Sequence, residues 1–223
     1  VTLLLFFLQA FVNLPFWSIP ILYILIIGIL NAYNFMDGIN GMSGLYSLVL
    51  LSSLYFIQNQ IVAFTDLDFI LFPLLASFVF LLFNFRKKAK CFMGDVGSLG
   101  IAFWIIGLIG LLVMKTGDFK YLLLFSVYGI EVVFTIVERI FYKENIFKAH
   151  RRHLYQLLAN EKNISHLVVS IIYAFVQILI NIFIICTDFS WISLFLFVVI
   201  PISLIYLFIK EFIKKQISKR DLI

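Results

Sequence analysis

The chain has 223 residues, of which 63% are apolar and only 13% charged, with a net charge of +5. An ordinary globular domain is about 45–50% apolar and about a quarter charged, so this chain cannot cover a water-facing surface. A soluble fold, a disordered segment, a nucleic-acid module and a disulfide scaffold are excluded together, the last because Cys91 and Cys186 lie far apart and read as unpaired.

A helix that crosses hydrocarbon needs about 20 mostly apolar residues, because lipid tolerates no unsatisfied backbone groups. The sequence therefore predicts an all-α polytopic transmembrane bundle of about eight segments. They lie near 1–12, 16–34, 43–58, 67–84, 97–114, 119–138, 164–186 and 190–209. The first is too short to span and carries no signal-peptide pattern, so it reads as part of a longer helix. On this reading 1–223 is a single transmembrane domain that lacks its N-terminal spans.

Charge orients the segments. All but two of the 17 lysines and arginines fall in 86–90, 139–162 or the tail from 210 to 220; Lys115 and Lys120 alone lie on the other side. Basic loops remain in the cytoplasm, so these three regions are expected inside. Asp66, Asp68, Asp118 and Asp188 are expected outside.

Three inner-face segments hold polar residues that a plain anchor does not need. In the first, Asn31, Asn34, Asp37 and Asn40 recur every third residue, which puts neighbours on roughly one helix face. Gly38, Gly41 and Gly44 then break the helix and let backbone approach a ligand. An isolated Asn-x-x-Asp reads as a capped helix end; the whole run points instead to an anion or metal site. In the second, Arg86–Lys90 leads into Phe92-Met93-Gly94-Asp95-Val96-Gly97-Ser98. Asp95 suits a hard cation, which takes one or two carboxylates plus substrate phosphates, and it also suits a helix N-cap. The basic cluster itself reads mostly as lipid-headgroup anchoring. In the third, His150 and His153 bracket Arg151 and Arg152 ahead of Leu154-Tyr155-Gln156. Arginine grips phosphate bidentately, so a diphosphate clamp is favoured over a zinc pair that has no local third ligand. His166 reads as interfacial. Glu131, inside the sixth span, is either functional or a charge snorkelling to the inner face.

Together these motifs resemble the polyprenyl-phosphate N-acetylhexosamine-1-phosphate transferases, of the glycosyltransferase family 4 type. The likeness rests on Asn-Ala-x-Asn-Phe-Met-Asp-Gly-Ile, Phe-Met-Gly-Asp-x-Gly-Ser and His-Arg-x-His occurring in that order. It implies an Mg²⁺-dependent multi-pass enzyme, with Mn²⁺ as an alternative ion. Such an enzyme moves a sugar-1-phosphate from a UDP-N-acetylhexosamine to polyprenyl phosphate and releases UMP. It would sit in the bacterial inner membrane with its site facing the cytoplasm, in contact with membrane lipid and without nucleic acid; a homodimer is compatible. The resemblance makes Asn34 and Asp95 the metal ligands. It puts Asp37 and Asn40 at the nucleoside end, with Phe92 and Gly94 among the substrate-binding residues. Asp95, His150, Arg152 and His153 become the catalytic set, the last three closing on the diphosphate. Glu131 stands where many members have Asp, and Arg139 follows it as a family arginine does.

Four departures bear on the expectation. Many bacterial members have Asp at the position of Asn40 and Thr at that of Val96. The Tyr155-Gln156 ending resembles the O-antigen-initiating branch and argues against the cell-wall muramoyl-pentapeptide branch, which remains the alternative. The family's Asp-Asp pair, expected upstream of Val1, is not in these residues. A transporter or non-catalytic scaffold is the rival class, but a transporter site belongs near the midplane.

Overall fold

The computed structural model describes residues 17–145 and 151–220. Among the described residues all regular structure is helical. In chain order these are α1 (Ser18–Met36), α2 (Met42–Gln60), α3 (Asp68–Asn84) and α4 (Gly94–Thr116), then a 3₁₀ segment (Phe119–Phe125) that feeds α5 (Ser126–Phe141). A single turn, α6 (Leu154–Gln156), runs into a π-helical stretch (Leu157–Glu161); α7 (His166–Cys186) and α8 (Trp191–Arg220) complete the bundle.

Among the described residues five helices are long and apolar enough to cross a membrane: Ile19–Met36, Gly94–Thr116, Phe119–Phe141, His166–Cys186 and Trp191–Ile217. The remaining two predicted spans form a hairpin. α3 has only 17 residues, and α2, with 19, carries Ser43, Ser47, Ser52, Ser53, Gln58 and Asn59. The predicted stretch 1–12 lies outside the described residues. The protein is thus a multi-pass helical membrane protein. Its outward side chains, Ile24, Phe72, Phe78, Phe175 and Phe208 among them, are exposed apolar groups of the kind lipid covers.

α2 is a polar helix, packed against α3 and α7. A hydrogen-bonded ladder removes the cost of its polar groups. Tyr46 donates to Gln177 Oε1 at 2.6 Å, Gln177 donates to Asn181 Oδ1 at 2.7 Å, and Asn181 donates to Ser53 Oγ at 2.8 Å. Beside it Tyr33, Tyr46, Phe125 and Tyr128 form an aromatic cluster, Tyr46 and Tyr128 stacked with centroids 3.6 Å apart. Interhelical bonds of this kind supply association in lipid, where apolar contact alone gains little.

α8 continues well past the predicted end at 209. Its 30 residues make a helix of about 45 Å, longer than the ~30 Å hydrocarbon core. The extension persists because its polar groups find partners. Lys210 and Lys214 lie 2.8 and 2.7 Å from Glu138, Lys214 also meets Glu211, and Gln216 accepts from Lys162.

Candidate active site

The polar ends of α1, α3 and α4 meet at one end of the bundle. α1 stops at Met36, and the chain turns through Asp37–Gly41, where Gly41 has φ +86°. A side chain there would collide with the Phe85 ring, 2.4 Å from an added Cβ, so glycine is required on both counts. The turn is tied to the 85–93 loop by two asparagines. Buried Asn84, the last residue of α3, accepts from the Gly41 N–H at 2.6 Å and donates to the Cys91 carbonyl at 2.8 Å. Asn40 donates to the Arg86 carbonyl at 2.8 Å. Asn40, expected at the nucleoside end, thus has its amide nitrogen engaged in joining two loops.

Across this knot Asn34 of α1 donates to Asp95 Oδ1 and to Ser98 Oγ of α4, both at 3.0 Å. α4 begins at Gly94, which has φ +64°, and Met93 occupies the N-cap position. Asp95 therefore lies in the first turn, makes no cap hydrogen bond and keeps an exposed carboxylate facing α1. The N-cap expectation is corrected: the side chain is engaged between helices, although its charge still suits the helix's positive end. Phe92 is exposed to 75% and Gly94 has open space around it, so both border the mouth beside Asp95. Arg86, Lys87, Lys88 and Lys90 are exposed around the same rim.

Asp37 is half-buried, and its carboxyl is pushed up to about 6, chiefly by burial and further by the negative charge of Asp95. Two carboxylates held near each other are an electrostatic cost that a bound cation would relieve. Among the described residues no group of three or more His, Cys, Asp or Glu is gathered for a metal ion. The oxygen set of Asp37, Asp95 and the Asn34 amide does fit Mg²⁺, which uses one or two carboxylates and completes its shell with water and substrate phosphates.

The third motif reaches this place through Tyr155. Its hydroxyl donates to the Phe35 carbonyl at 2.8 Å, and it lies 2.2 Å from where a Cβ on Gly38 would sit. Burial, reinforced by the charge of Glu131, raises the Tyr155 phenol well above its ordinary range, so it stays a neutral donor. His153 is buried, with its ring stacked on Tyr155 and Nδ1 3.5 Å from Glu131 Oε1. Arg152 is half-buried, lies over the Tyr142 ring and pairs with Glu138 at 3.3 Å and with Glu144. Arg139 is buried and pairs with Glu144 at 3.3 Å. His150 lies outside the described residues. The structure therefore brings Asn34, Asp37, Asn40, Phe92, Gly94 and Asp95 to one mouth. It sets His153 and Arg152 behind that mouth, on a carboxylate scaffold. Sequence reasoning assigned no role to Asn84, Ser98 or Tyr155; a buried-type polar residue closing a lipid-facing helix was the one signal that pointed to Asn84.

Residues 1–114 match the family model described as Glycosyl transferase family 4. The chain is 30% identical over 157 residues, 68% of its length, to the probable undecaprenyl-phosphate N-acetylglucosaminyl 1-phosphate transferase of Bacillus subtilis. It is 29% identical over 147 residues, 62% of its length, to the phospho-N-acetylmuramoyl-pentapeptide-transferase of Symbiobacterium thermophilum. It is also 35% identical over 80 residues, 34% of its length, to the enzyme of that name from Streptococcus pneumoniae. The chain spans 43% of the length of the first two relatives and 23% of the third.

Proposed function

The chain belongs to glycosyl transferase family 4, and on that premise we propose that it carries the inner-face site of an enzyme transferring N-acetylhexosamine-1-phosphate from a UDP-sugar to polyprenyl phosphate. The observation that carries this reading is the junction of Asn34, Asp95 and Ser98 with Asp37 at its edge, inside a rim of lysines and arginine.

A phosphate oxygen of the lipid attacks the β-phosphorus of the UDP-sugar. The bond from that phosphorus to the bridging oxygen breaks, UMP leaves, and the sugar's C1–O bond survives with its configuration retained. The nucleophile is already anionic near neutral pH, so the difficulty is to bring two anions together; positioning and charge neutralisation dominate such transfers. Asp95, with Asn34 and Asp37 beside it, would hold Mg²⁺, and that ion supplies charge neutralisation on the diphosphate. The chain's own contribution is alignment. Asn34 fixes the Asp95 carboxylate, the Asn84 knot fixes the turn that bears Asp37, and the rim of Arg86–Lys90 attracts anionic substrates. Lipid enters sideways from the bilayer and nucleotide from the cytoplasm, which suits a site at the inner face of a bacterial cell membrane. The Tyr155-Gln156 ending favours an N-acetylhexosamine donor and a role in initiating O-antigen or another surface glycan.

The test is exchange of labelled UMP into UDP-sugar by membranes that carry the full-length protein. The expected result is exchange that requires both polyprenyl phosphate and Mg²⁺, with UDP-N-acetylglucosamine preferred over the UDP-muramoyl-pentapeptide. Exchange with the pentapeptide donor alone would transfer the assignment to the cell-wall branch, and exchange with neither would overturn the reading.

A further inference from the structure

Behind the mouth, α5 carries a carboxylate that neither the metal nor the nucleotide reading uses. Glu131 is 1% exposed and accepts from three elements at once. Tyr173 of α7 donates to Oε2 at 2.6 Å; on Oε1 the Leu154 backbone N–H and the Tyr206 hydroxyl of α8 converge, the latter at 3.5 Å. His153 Nδ1 lies 3.5 Å from the same oxygen. Lys210, itself buried, donates to Tyr206 at 2.9 Å and to Thr135 at 3.0 Å, so the far side of the cluster is also closed.

We infer that Glu131 is the positioning residue that docks the Leu154–Gln156 turn against the site segment, a role that rests on the transferase reading for its catalytic consequence. The chain of contacts is short. Glu131 accepts from the first N–H of α6 and so fixes that turn. The fixed turn aims Tyr155 at the Phe35 carbonyl and presses its ring to Gly38. Phe35 and Gly38 flank Asp37, and Asn34 precedes them, so the loop's pose sets the pose of the Asn34–Asp37 segment. No Cβ fits at Gly38 with Tyr155 in place, which shows how closely the two are matched. Burying a carboxylate in a membrane span is expensive, and here three hydrogen-bond donors satisfy it. An apolar residue at 131 would leave the Leu154 N–H and the Tyr173 hydroxyl without their acceptor, while Tyr206 would keep Thr135 Oγ1 at 3.2 Å. Glutamine would keep an oxygen for Leu154 and offer its N–H to the Tyr173 oxygen.

Three variants of the full-length protein in membranes, read by two independent measurements, test this. The first measurement is trypsin cleavage after Arg151 and Arg152, followed by mass; the second is UMP exchange. Glu131→Leu is expected to speed cleavage about tenfold, since ~1.4 kcal/mol of lost docking is a tenfold change in the open population. It is expected to lower exchange about 100-fold through misplacement of the site. Glu131→Gln should recover at least about tenfold of the lost exchange and restore slow cleavage. Tyr155→Phe, which removes the hydroxyl that donates to Phe35 but keeps the ring and the Leu154 bond to Glu131, should leave cleavage slow while exchange falls about tenfold. Cleavage unchanged in Glu131→Leu would overturn the docking role, and it does so even if the wild-type protein shows no exchange and the transferase reading fails. Glu131→Gln as defective as Glu131→Leu in both readouts would overturn it too. Full exchange in Tyr155→Phe would overturn the transmission to the site, and this arm stands even if Glu131→Leu does not accumulate in the membrane.

Discussion

Asp37 holds the least comfortable charge at the mouth. Burial and the neighbouring Asp95 carboxylate raise its pKa from 3.8 to about 6. An aspartate whose native pKa lies above its unfolded value binds its proton more tightly when folded. The contribution of this one group to stability is therefore highest below pH ~4 and is lost as pH rises through about 6, by about 2–3 kcal/mol for a shift of this size. Asp37→Asn is expected to remove that loss. In metal-free buffer its unfolding midpoint in detergent should exceed the wild-type value at pH 7–8 and match it at pH 4. A variant with the wild-type pH slope would show that Asp37 carries no such cost. Asn34, Asp37 and Asp95 were legible in the sequence because each interrupts an apolar run next to glycines. That Asn34 and Asp95 belong to one site came only from the family resemblance, since spacing along one chain does not say which side chains on separate helices face each other; their direct hydrogen bond is seen only in the structure.

At the scale of elements, the site depends on two loops that hold each other. Asn84 serves the Gly41 N–H and the Cys91 carbonyl at once and is only 5% exposed. Asn84→Ala leaves both backbone groups without partners, at a cost of about 1–3 kcal/mol for each group left buried and unpaired. The expected outcome is a lower unfolding midpoint in detergent together with loss of Mg²⁺-dependent stabilisation, because the turn bearing Asp37 and the loop before Asp95 come apart. An unchanged midpoint would show the knot to be incidental. Helix limits were legible to within a few residues except at the end of α8. There hydropathy falls off after 209, while Lys210 and Lys214 continue the helix by pairing with Glu138 on another element. Hydropathy counts Lys210 as a reason to stop; the fold buries it against Glu138.

At the scale of the molecule, the membrane arrangement follows from apolar length and sorted charge. It leaves the polar α2 inside, where Gln177 and Asn181 satisfy it, and the more uniformly apolar helices outside. That α2 is covered could not be read from hydropathy, because its serines, Gln58 and Asn59 read as a surface until the interhelical bond between Ser53 and Asn181 is seen. The two native cysteines fall at opposite ends, Cys91 in the loop before α4 and exposed Cys186 at the end of α7. An impermeant thiol reagent is expected to modify Cys186 in right-side-out vesicles and Cys91 only in inverted ones, with the modified peptides identified by mass. Labelling of Cys91 from outside would contradict the orientation.

The central claim is that Asp95, held by Asn34 between α1 and α4, works as a cation-binding carboxylate at the mouth. UMP exchange by full-length Asp95→Asn at limiting Mg²⁺ tests it most directly. Asparagine fills the same space and can still accept a hydrogen bond, so the fold should survive. A neutral amide holds a cation far less well, and loss of the ion's contribution is worth several kcal/mol at about 1.4 kcal/mol per factor of ten. Exchange is expected at least about 100-fold below wild type, in protein that inserts normally and keeps Cys91 on the inner face. Near-wild-type exchange by Asp95→Asn under those conditions would contradict it.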